Sequence, residues 1–245
     1  MKITVICVYN NEEIYLSQLK KTLDHQNCEF ELKAIDNRYK KFSSASAALN
    51  DAARNSKGDI LIFAHQDIYL KNKNVIEEFA NQINKTKVGD IVGTQGVREK
   101  SKKYYSNLTA GETIDKNENH YFENKLYEVS CVDEGMFGMK RETWINHNFD
   151  ENVCDNWHLY CVEQCLYARS QEHKVYVYPS QIHHSSYGHI SISYMKTLEH
   201  LCYIYKNDFK YIWTTCYKVR TNRVYIELLV SLWTLNRIIR RKSLN

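Results

Sequence analysis

The sequence predicts an α/β protein with a mostly parallel sheet flanked by helices and a helical C-terminal extension. Three short segments typical of β-strands, at 2–9, 30–35 and 60–64, are each followed by polar residues and then by a segment with helical periodicity. Of the 245 residues, 43% are hydrophobic and 25% are charged. This composition excludes a disordered or fibrous protein, and the length fits one large domain or one domain with an extension.

The first unit begins with a nearly continuous apolar run over residues 2–9, which is typical of a buried strand in a parallel sheet. The run stops at two asparagines, either of which can cap a following helix. In that helix Tyr15, Leu19 and Leu23 recur every four residues and form one apolar face. The predicted order is therefore strand, polar turn and helix.

Two further units follow the same order. Residues 30–35 predict a second strand ending at Asp36, and Ser44 opens an alanine-rich helix that Gly58 is placed to end. Residues 60–64 predict the third strand. Because successive strand–helix–strand units have right-handed crossovers, they predict a parallel sheet.

The ends of these three strands carry polar side chains. Parallel strands point the same way, so Asn10, Asp36 and the run His65-Gln66-Asp67 must emerge at one edge of the sheet. Open α/β sheets bind their ligands at that edge. Topology alone therefore predicts a binding site there.

More sheet and helix is predicted around one long polar segment. The further elements are a helix over 75–83 and strands over 90–94, 129–132, 136–139 and 175–178. Residues 98–124 are polar and charged and show no clear period. Because so long a segment is commonly functional or mobile, we expect it to cover or border the site; the alternative is an indifferent surface excursion.

Three helices are predicted after Ser191, with breaks near 207–208 and 221–222. The last carries an apolar stripe of Tyr225, Leu228, Leu229, Leu232, Leu235 and Ile239, flanked by the basic residues Arg220, Arg223, Arg237, Arg240, Arg241 and Lys242. A stripe of this kind fits peripheral contact with an anionic membrane surface. The alternatives are core packing or a contact between copies of the chain, with a solvated basic end.

Several common signatures are missing from the sequence. No apolar run approaches the ~20 residues of a membrane-spanning helix, and the start does not read as a secretory signal, which favours a cytoplasmic protein, with attachment to the inner face of the membrane as an option. None of the eight Cys forms a CxxC pair, so buried free thiols are expected. A net charge of +4 is too mild to indicate a nucleic-acid partner.

The sequence also lacks GxGxxG after the first strand and has no P-loop motif. A phosphate site on this sheet would then need another source of positive charge, commonly a divalent metal held by carboxylates. Asp67, at a strand end, is the obvious candidate ligand.

Several short motifs occur in a specific order along the chain. They are residues 5–10 (VICVYN), 34–37 (AIDN), 47–53 (AALNDAA), 58–67 (GDILIFAHQD), 132–137 (VDEGMF), 149–151 (FDE), 158–160 (HLY) and 182–185 (IHHS) with Gly188. Together they resemble family-2-type nucleotide-sugar glycosyltransferases of GT-A fold, in the subgroup that carries His-Gln-Asp where most relatives carry Asp-x-Asp. The resemblance covers Met1 to about Ile190. It implies a catalytic domain over 1–190, divided into a nucleotide-sugar half (1–95) and an acceptor half (96–190), with 191–245 as the helical extension.

The resemblance also implies a nucleotide and metal site. Asp36 would accept a hydrogen bond from the base, and Tyr9 and Asn10 would line the same pocket. Asp67 would hold Mn²⁺ or Mg²⁺ beside the donor diphosphate, with His65 where the first acid of the usual motif stands. His184 resembles a distal histidine that completes the metal site and is favoured over His183; neighbouring residues on an extended segment face opposite sides, so the two are not expected to share one metal. The alternative is that neither binds a metal and one is a buried imidazole with satisfied hydrogen bonds.

The general base is harder to assign from the resemblance. The family supplies an acid near the start of a helix, and at the matching position this sequence has Cys161. Glu163 is the nearest acid and the first candidate, Asp133 and Glu134 come next, and Asp155 is last. A thiol is a poor base at its ordinary pKa, so Cys161 itself is not a candidate.

The function predicted from the resemblance is metal-dependent, inverting transfer of a sugar from a nucleoside-diphosphate donor, foremost a UDP-sugar, to a hydroxyl of a glycan or lipid-linked glycan. Trp157, Tyr160 and Tyr187 offer flat faces for sugar rings. Two alternatives remain: an inactive sugar-nucleotide-binding or assembly subunit, suggested by Cys161 and His65, and a nucleotidyltransferase, which would carry a Gly- and Arg/Lys-rich turn after the first strand.

Overall fold

The structure is a computed structural model, and it describes residues 1–99, 103–106, 109–110, 122–185 and 190–242, with the backbone alone for 109–110 and 236–242. Parts of the polar segment predicted over 98–124, together with Tyr187 and Gly188, lie outside the described residues.

The described strands and helices alternate through the first half of the chain. The strands are β1 (Ile3–Tyr9), β2 (Glu31–Asp36), β3 (Ile60–Ala64), β4 (Ile68–Leu70), β5 (Ile91–Gly93), β6 (Gln95–Arg98), β7 (Lys103–Ser106), β8 (Thr109–Ala110), β9 (Tyr127–Val129), β10 (Cys131–Val132), β11 (Met136–Lys140), β12 (Val175–Val177), β13 (Ile182–His184), β14 (Tyr211–Trp213) and β15 (Lys218–Arg220). The helices are α1 (Glu12–Tyr15), α2 (Lys21–Leu23), α3 (Ala45–Arg54), α4 (Val75–Lys85), α5 (Arg141–Asn146), α6 (Tyr160–Ser170), α7 (Ile192–Ile204) and α8 (Arg223–Lys242).

The first predicted unit is confirmed. The Asn11 side chain accepts a hydrogen bond from the N–H of Ile14 and caps α1, and a π-helical turn, Leu16–Lys20, joins α1 to α2. Tyr15, Leu19 and Leu23 are all buried on the side that faces the sheet. Their four-residue spacing therefore predicted the packed face correctly.

The second unit is confirmed except for the role of Gly58. Ser44 caps α3 by accepting from the N–H of Ala47, but the helix ends at Arg54, four residues before the glycine. A Cβ on Gly58 would lie 2.5 Å from the backbone nitrogen of Thr4. The glycine is thus required by close packing of the turn before β3 against β1, and not by a helix end.

A seven-stranded sheet forms the centre of the fold, in the order β2-β1-β3-β11-β5-β12-β9. β1 is parallel to both β2 and β3, and β12 is parallel to β5. β11 runs antiparallel between β3 and β5, and β9 runs antiparallel at the edge. Five strands therefore point one way and two the other, which makes the sheet mostly parallel as predicted.

Helices cover both faces of this sheet. On one face, α3, α5 and α6 pack over alternate strand residues such as Ile6, Leu61 and Phe137. On the other face, α1, α2 and α4 pack over the residues between them, such as Val5 and Ile62. Because successive side chains of a strand point to opposite faces, the continuous apolar runs feed two cores at once.

The strand predicted over 129–132 is instead two strands in different sheets. Tyr127–Val129 pairs with β12 in the main sheet, whereas Cys131–Val132 pairs with β6 in a three-stranded sheet that also contains β7. The chain changes sheets at Ser130, whose N–H bonds to the carbonyl of Val97. Sequence periodicity cannot show such a change, because both short strands have the same local pattern.

The C-terminal region contains two of the three predicted helices and a β-hairpin in place of the third. α7 and α8 are confirmed, but between them β14 and β15 pair antiparallel, with Ile212 opposite Val219. The segment is rich in aromatic and β-branched residues, which favours a strand over a helix. The two predicted breaks, near 207 and 221, correspond to the ends of this hairpin.

α6 joins the C-terminal region to the rest of the fold through a third apolar cluster. Leu159, Val162 and Leu166 are buried against side chains of α7, the hairpin and α8, among them Met195 and Ile212. This cluster therefore takes residues from both sides of position 190.

α8 has apolar residues on two opposite faces. Ile226 is buried, and Leu229, Val230 and Trp233 pack partly against the third cluster. The residues Val224, Tyr225, Leu228, Leu232 and Leu235 are exposed. Leu229 was predicted to lie with this exposed set and is instead on the packed face. Within the described residues, no helix is both long and apolar enough to cross a bilayer.

Candidate active site

The carboxyl ends of β1, β2 and β3 meet at one edge of the sheet. Tyr9 is the register partner of Asp36, and the side-chain carbonyl of Gln66 accepts hydrogen bonds of 3.0 Å from the backbone N–H groups of Asn10 and Asn11. The Gln66 amide also donates to Asn10 Oδ1 at 2.8 Å. The middle residue of His-Gln-Asp thus fixes the turn after β1 beside the end of β3.

His65, Asp67 and His184 lie together at this edge. One ligand atom from each side chain falls within 4.8 Å of the others. His184 Nε2 is 3.2 Å from Asp67 Oδ1, and the two histidine ring centres are 5.6 Å apart. β13 brings His184 here by pairing antiparallel with β4, where it is the register partner of Ile68.

Burial and charge act differently on the two histidines. Burial and the neighbouring His184 lower the pKa of His65, although Asp67 and Asp133 oppose the shift. Burial also acts to lower the pKa of His184, but the hydrogen bond to Asp67 and the charges of Asp67 and Asp133 outweigh it and raise the pKa. His65 is therefore the more readily neutral of the two, and a neutral imidazole can bind a metal.

A small pocket lies beside this cluster, under the ends of β1 and β3. It is lined by Val8, Ala45, Leu49, Phe63, Ala64, His65, Trp157 and Tyr160. The hydroxyl of Tyr160 is 3.0 Å from His65 Nε2, so the first residue of α6 is tied to the end of β3. Trp157 is partly exposed at the pocket, where its ring can lie against a ligand.

Asp36 already has a partner at the rim of this edge. The guanidinium of Arg38 donates to both Asp36 oxygens, at 2.6 Å for Nη2 to Oδ2, and also contacts Glu12. The hydrogen bonds from Arg38 lower the pKa of Asp36, so this carboxylate stays ionised. Tyr9 stacks on Tyr15 with ring centres 4.5 Å apart, which fixes the side chain beside Asp36.

Asp133 lies in the turn between β10 and β11, beside the cluster of His65, Asp67 and His184. Its Oδ1 accepts from the N–H of Gly135 at 3.0 Å, and its Oδ2 accepts from the hydroxyl of Thr215 at 2.8 Å. A Cβ on Gly135 would lie 3.3 Å from Asp133 Oδ1 and 3.6 Å from His184 Nδ1, so the Asp133 carboxylate lies close to His184. Thr215 lies in the hairpin, so the C-terminal region contributes directly to this edge.

Glu134 lies at the amino end of α6. Its side chain is half-buried, and its Oε1 atom is buried without a hydrogen bond of ordinary geometry among the described residues. Burial and the charge of Asp133 raise its pKa well above the usual range, although the N–H groups of residues 159–161 act in the opposite direction. This carboxyl therefore faces the helix start at which the resemblance implies an acid.

Glu163 is not brought together with these residues. Its side chain is 4% exposed, and its Oε1 lies 3.0 Å from His147 Nε2 and 2.7 Å from the hydroxyl of Tyr205. These partners belong to the end of α5 and the end of α7. The contacts link three helices, away from the ends of β1 and β3.

A model of the family described as "Glycosyltransferase like family" matches residues 4–219. The chain belongs to this family. No curated protein sequence matches the chain.

The fold of this glycosyltransferase-like protein is similar to that of three solved enzymes. GalNAc-T7 with UDP, GalNAc and Mn²⁺ aligns with a TM-score of 0.57 and 11% identity, over 82% of this chain and 47% of that one. S. aureus TarS 1–349 with UDP-GlcNAc aligns with a TM-score of 0.54 and 14% identity, over 82% of this chain and 66% of that one. The mannosyltransferase PcManGT from Pyrobaculum calidifontis with GDP-Man and Mn²⁺ aligns with a TM-score of 0.53 and 13% identity, over 84% of this chain and 63% of that one. The chain thus spans about half to two thirds of their lengths. At these identities the likeness shows the GT-A fold alone.

The cluster of His65, Asp67 and His184 fits a divalent metal. Two imidazole nitrogens and one carboxylate oxygen suit Mn²⁺ better than Mg²⁺, which takes oxygen ligands. A ligating histidine commonly donates its second N–H to an oxygen, and the Tyr160 hydroxyl offers one to His65.

Two residues of the glycosyltransferase-like site were not predicted from the sequence. The sequence analysis gave Gln66 no role of its own, although its position next to Asp67 at the end of a strand indicates that it lies at the site. Thr215 carried no signal, because it lies 82 positions from Asp133 in a segment predicted to be helical. Of the other candidates, Asp155 is exposed and bonds to Asn156. β8, from the polar segment predicted to border the site, pairs with β13 at His183 and His184.

Proposed function

We propose that this protein transfers a sugar from a nucleoside-diphosphate donor, foremost a UDP-sugar, to a hydroxyl of a glycan or lipid-linked glycan, with inversion at the anomeric carbon. The observation that carries the proposal is the convergence of His65, Asp67 and His184 beside the pocket at the carboxyl edge of a GT-A sheet. The three structures of similar fold contain UDP, UDP-GlcNAc or GDP-Man, which supports this class of donor.

In the proposed complex the diphosphate lies against the metal cluster and the base lies toward Asp36 and Tyr9. Mn²⁺ held by His65, Asp67 and His184 would stabilise the negative charge of the departing diphosphate. Gln66 holds the turn at Asn10 and so shapes the path between the two subsites. Asp36 accepts a hydrogen bond from the base once Arg38 gives up part of its contact.

We assign the general base to Glu134, ahead of Asp133 and Glu163. Burial raises the pKa of Glu134, which strengthens its affinity for a proton, and its Oε1 atom is without a hydrogen-bond partner among the described residues. Both oxygens of Asp133 are engaged by Thr215 and Gly135, and Glu163 is enclosed by His147 and Tyr205. The oxygen of the acceptor hydroxyl attacks the anomeric carbon while its proton passes to Glu134. The bond from the anomeric carbon to the nucleoside diphosphate breaks, and the diphosphate departs.

Release of nucleoside diphosphate from a panel of UDP- and GDP-sugars, with Mn²⁺ and a set of glycan acceptors, tests the function. We expect release from at least one donor, lost in Asp67→Ala and retained in Asp155→Asn, which removes an exposed acid outside the cluster. Binding of a donor with no release of nucleoside diphosphate in the presence of any acceptor would instead support an inactive binding subunit. Release unaffected by Asp67→Ala would exclude the proposed metal role.

A second comparison tests the base. We expect Glu134→Gln to lower kcat by about 10²- to 10⁴-fold, because general-base catalysis contributes that much, and Glu163→Gln to leave kcat within a few-fold of the parent. If Asp133→Asn lowers kcat and Glu134→Gln does not, the general base is Asp133.

A further inference from the structure

We infer that the C-terminal helix α8 and the basic groove at its start form a docking surface for an anionic lipid bilayer. The inference does not depend on sugar transfer. It rests on an exposed apolar stripe, on the position of the cationic side chains beside it, and on the way α8 is held against the rest of the fold.

The apolar stripe consists of Val224, Tyr225, Leu228, Leu232 and Leu235. At 100° per residue these side chains fall within about one third of the helix circumference, opposite the face that packs against α7. Leu228 and Leu232 remain 57% and 59% exposed. A helix that already buries one face normally presents polar residues on the other, so this second apolar face fits a non-aqueous surface.

The basic groove lies where the hairpin meets α8. It is open to solvent and is lined by Lys206, Asn207, Phe209, Lys210, Arg220, Thr221, Asn222 and Arg223. Its four cationic residues are exposed. Of these four residues, only Arg223 forms an ion pair with an acid among the described residues, and its partner is Glu227 in the next turn of the helix.

The groove and the stripe adjoin along the chain, because the groove includes Arg223 and the stripe begins at Val224. By sequence, the same helix ends in further basic residues, Arg237, Arg240, Arg241 and Lys242. Apolar side chains between two sets of cations match the interface of a bilayer with anionic headgroups, where each basic residue adds attraction. A second copy of the chain would bring these cations close to one another, which favours lipid over self-association.

α8 is also firmly attached to the fold. Ile226 is buried in the third cluster, and the Tyr203 hydroxyl of α7 bonds to Glu227 at 2.7 Å. The stripe is therefore presented by a rigid helix, so binding requires little ordering of the chain.

Flotation of the full chain with lipid vesicles tests the inference. We expect the protein to float with vesicles of equal parts phosphatidylcholine and phosphatidylglycerol, and not with phosphatidylcholine alone. Leu228→Glu should reduce flotation more than about tenfold. Ile145→Glu is the matched control, since Ile145 is 59% exposed on α5, and it should float like the parent.

The charge contribution is tested separately. Lys210→Gln with Arg220→Gln should weaken binding about fivefold for each charge removed, whereas Lys21→Gln with Lys57→Gln, at exposed sites elsewhere, should have little effect. Circular dichroism melting checks that each variant is folded. The inference is overturned by failure of the parent to float with anionic vesicles, by equal flotation with neutral ones, or by light scattering that shows a dimer which Leu228→Glu dissociates.

Discussion

Asp67 Oδ1 lies 3.2 Å from His184 Nε2, although 117 positions separate the two residues in the chain. β13 places His184 there by pairing with β4, which directly follows Asp67. Neighbouring residues of a strand point to opposite sides, so His183 is directed away from Asp67. The metal assignment can therefore be tested with two adjacent histidines.

His184→Ala is expected to lower Mn²⁺-dependent turnover by about a hundredfold or more, because stabilisation of a departing diphosphate by a metal amounts to several kcal/mol. His183→Ala should keep turnover within a few-fold of the parent. Titration with Mn²⁺, followed by electron paramagnetic resonance, would show weaker binding in His184→Ala alone. Equal loss in the two variants would mean that the strand, rather than the ligand, is what turnover requires.

Glu134→Gln is expected to stabilise the fold at neutral pH while it removes activity. The folded-state pKa of Glu134 lies above its unfolded value of about 4.3, so the folded state holds the proton to higher pH. The free energy of unfolding of the parent therefore falls as pH rises through the window above the unfolded pKa, and the amide variant lacks this loss.

Urea denaturation at a series of pH values measures the effect. The two proteins should have similar stability below about pH 4, where the carboxyl is protonated in both states, and the variant should be more stable at higher pH. Glu172→Gln, at an exposed site, should follow the parent. A variant that is less stable than the parent at neutral pH would contradict the assigned direction of the pKa.

Tyr205→Phe tests the structural role assigned to Glu163. The substitution removes the hydroxyl 2.7 Å from Glu163 Oε1 and leaves a buried carboxylate with one partner fewer, so it should cost about 1–3 kcal/mol of stability. Turnover of the folded enzyme should be unchanged. Tyr203→Phe removes a hydroxyl that donates to the partly exposed Glu227, and should cost less stability than Tyr205→Phe. A large fall in kcat without loss of stability in Tyr205→Phe would return Glu163 to the reaction.

Glu172→Gly should stabilise the protein by about 1 kcal/mol, because Glu172 has a left-handed backbone, with φ of 62°, that costs a side-chain-bearing residue about that much. The N–H of His173 bonds to the carbonyl of Ala168, which is the usual glycine-ended helix terminus. Thermal unfolding measures the gain. The neighbouring Gln171→Gly, where φ is −95°, should not stabilise, and a gain there of similar size would show that the backbone argument is incorrect.

Local sequence pattern was sufficient for the first half of the fold. β1 and β3 are continuous apolar runs, and Asn11 and Ser44 mark helix starts that the structure confirms. The hairpin of β14 and β15 was not predicted. The helical pattern of the segments on either side was extended across these ten residues, although their β-branched and aromatic content favours strands.

The site could be predicted only in part. The topology of parallel strands was enough to bring Asn10, Asp36 and Asp67 to one edge. The pairing of His184 with Asp67 came from family resemblance, since no local pattern connects β13 with β4. The contact of Thr215 with Asp133 depends on packing between distant segments, which periodicity does not encode.

α6 is shared by two apolar clusters: Cys161 and Cys165 face the central sheet, while Val162 and Leu166 face α7 and the hairpin. A change of volume on either side displaces the same rigid rod, whose first turn holds Tyr160 against His65 and lies beside Glu134. We therefore expect a substitution in the C-terminal region that changes packing volume to alter the candidate site. Transplanting that region from a relative would be expected to need compensating substitutions along α6.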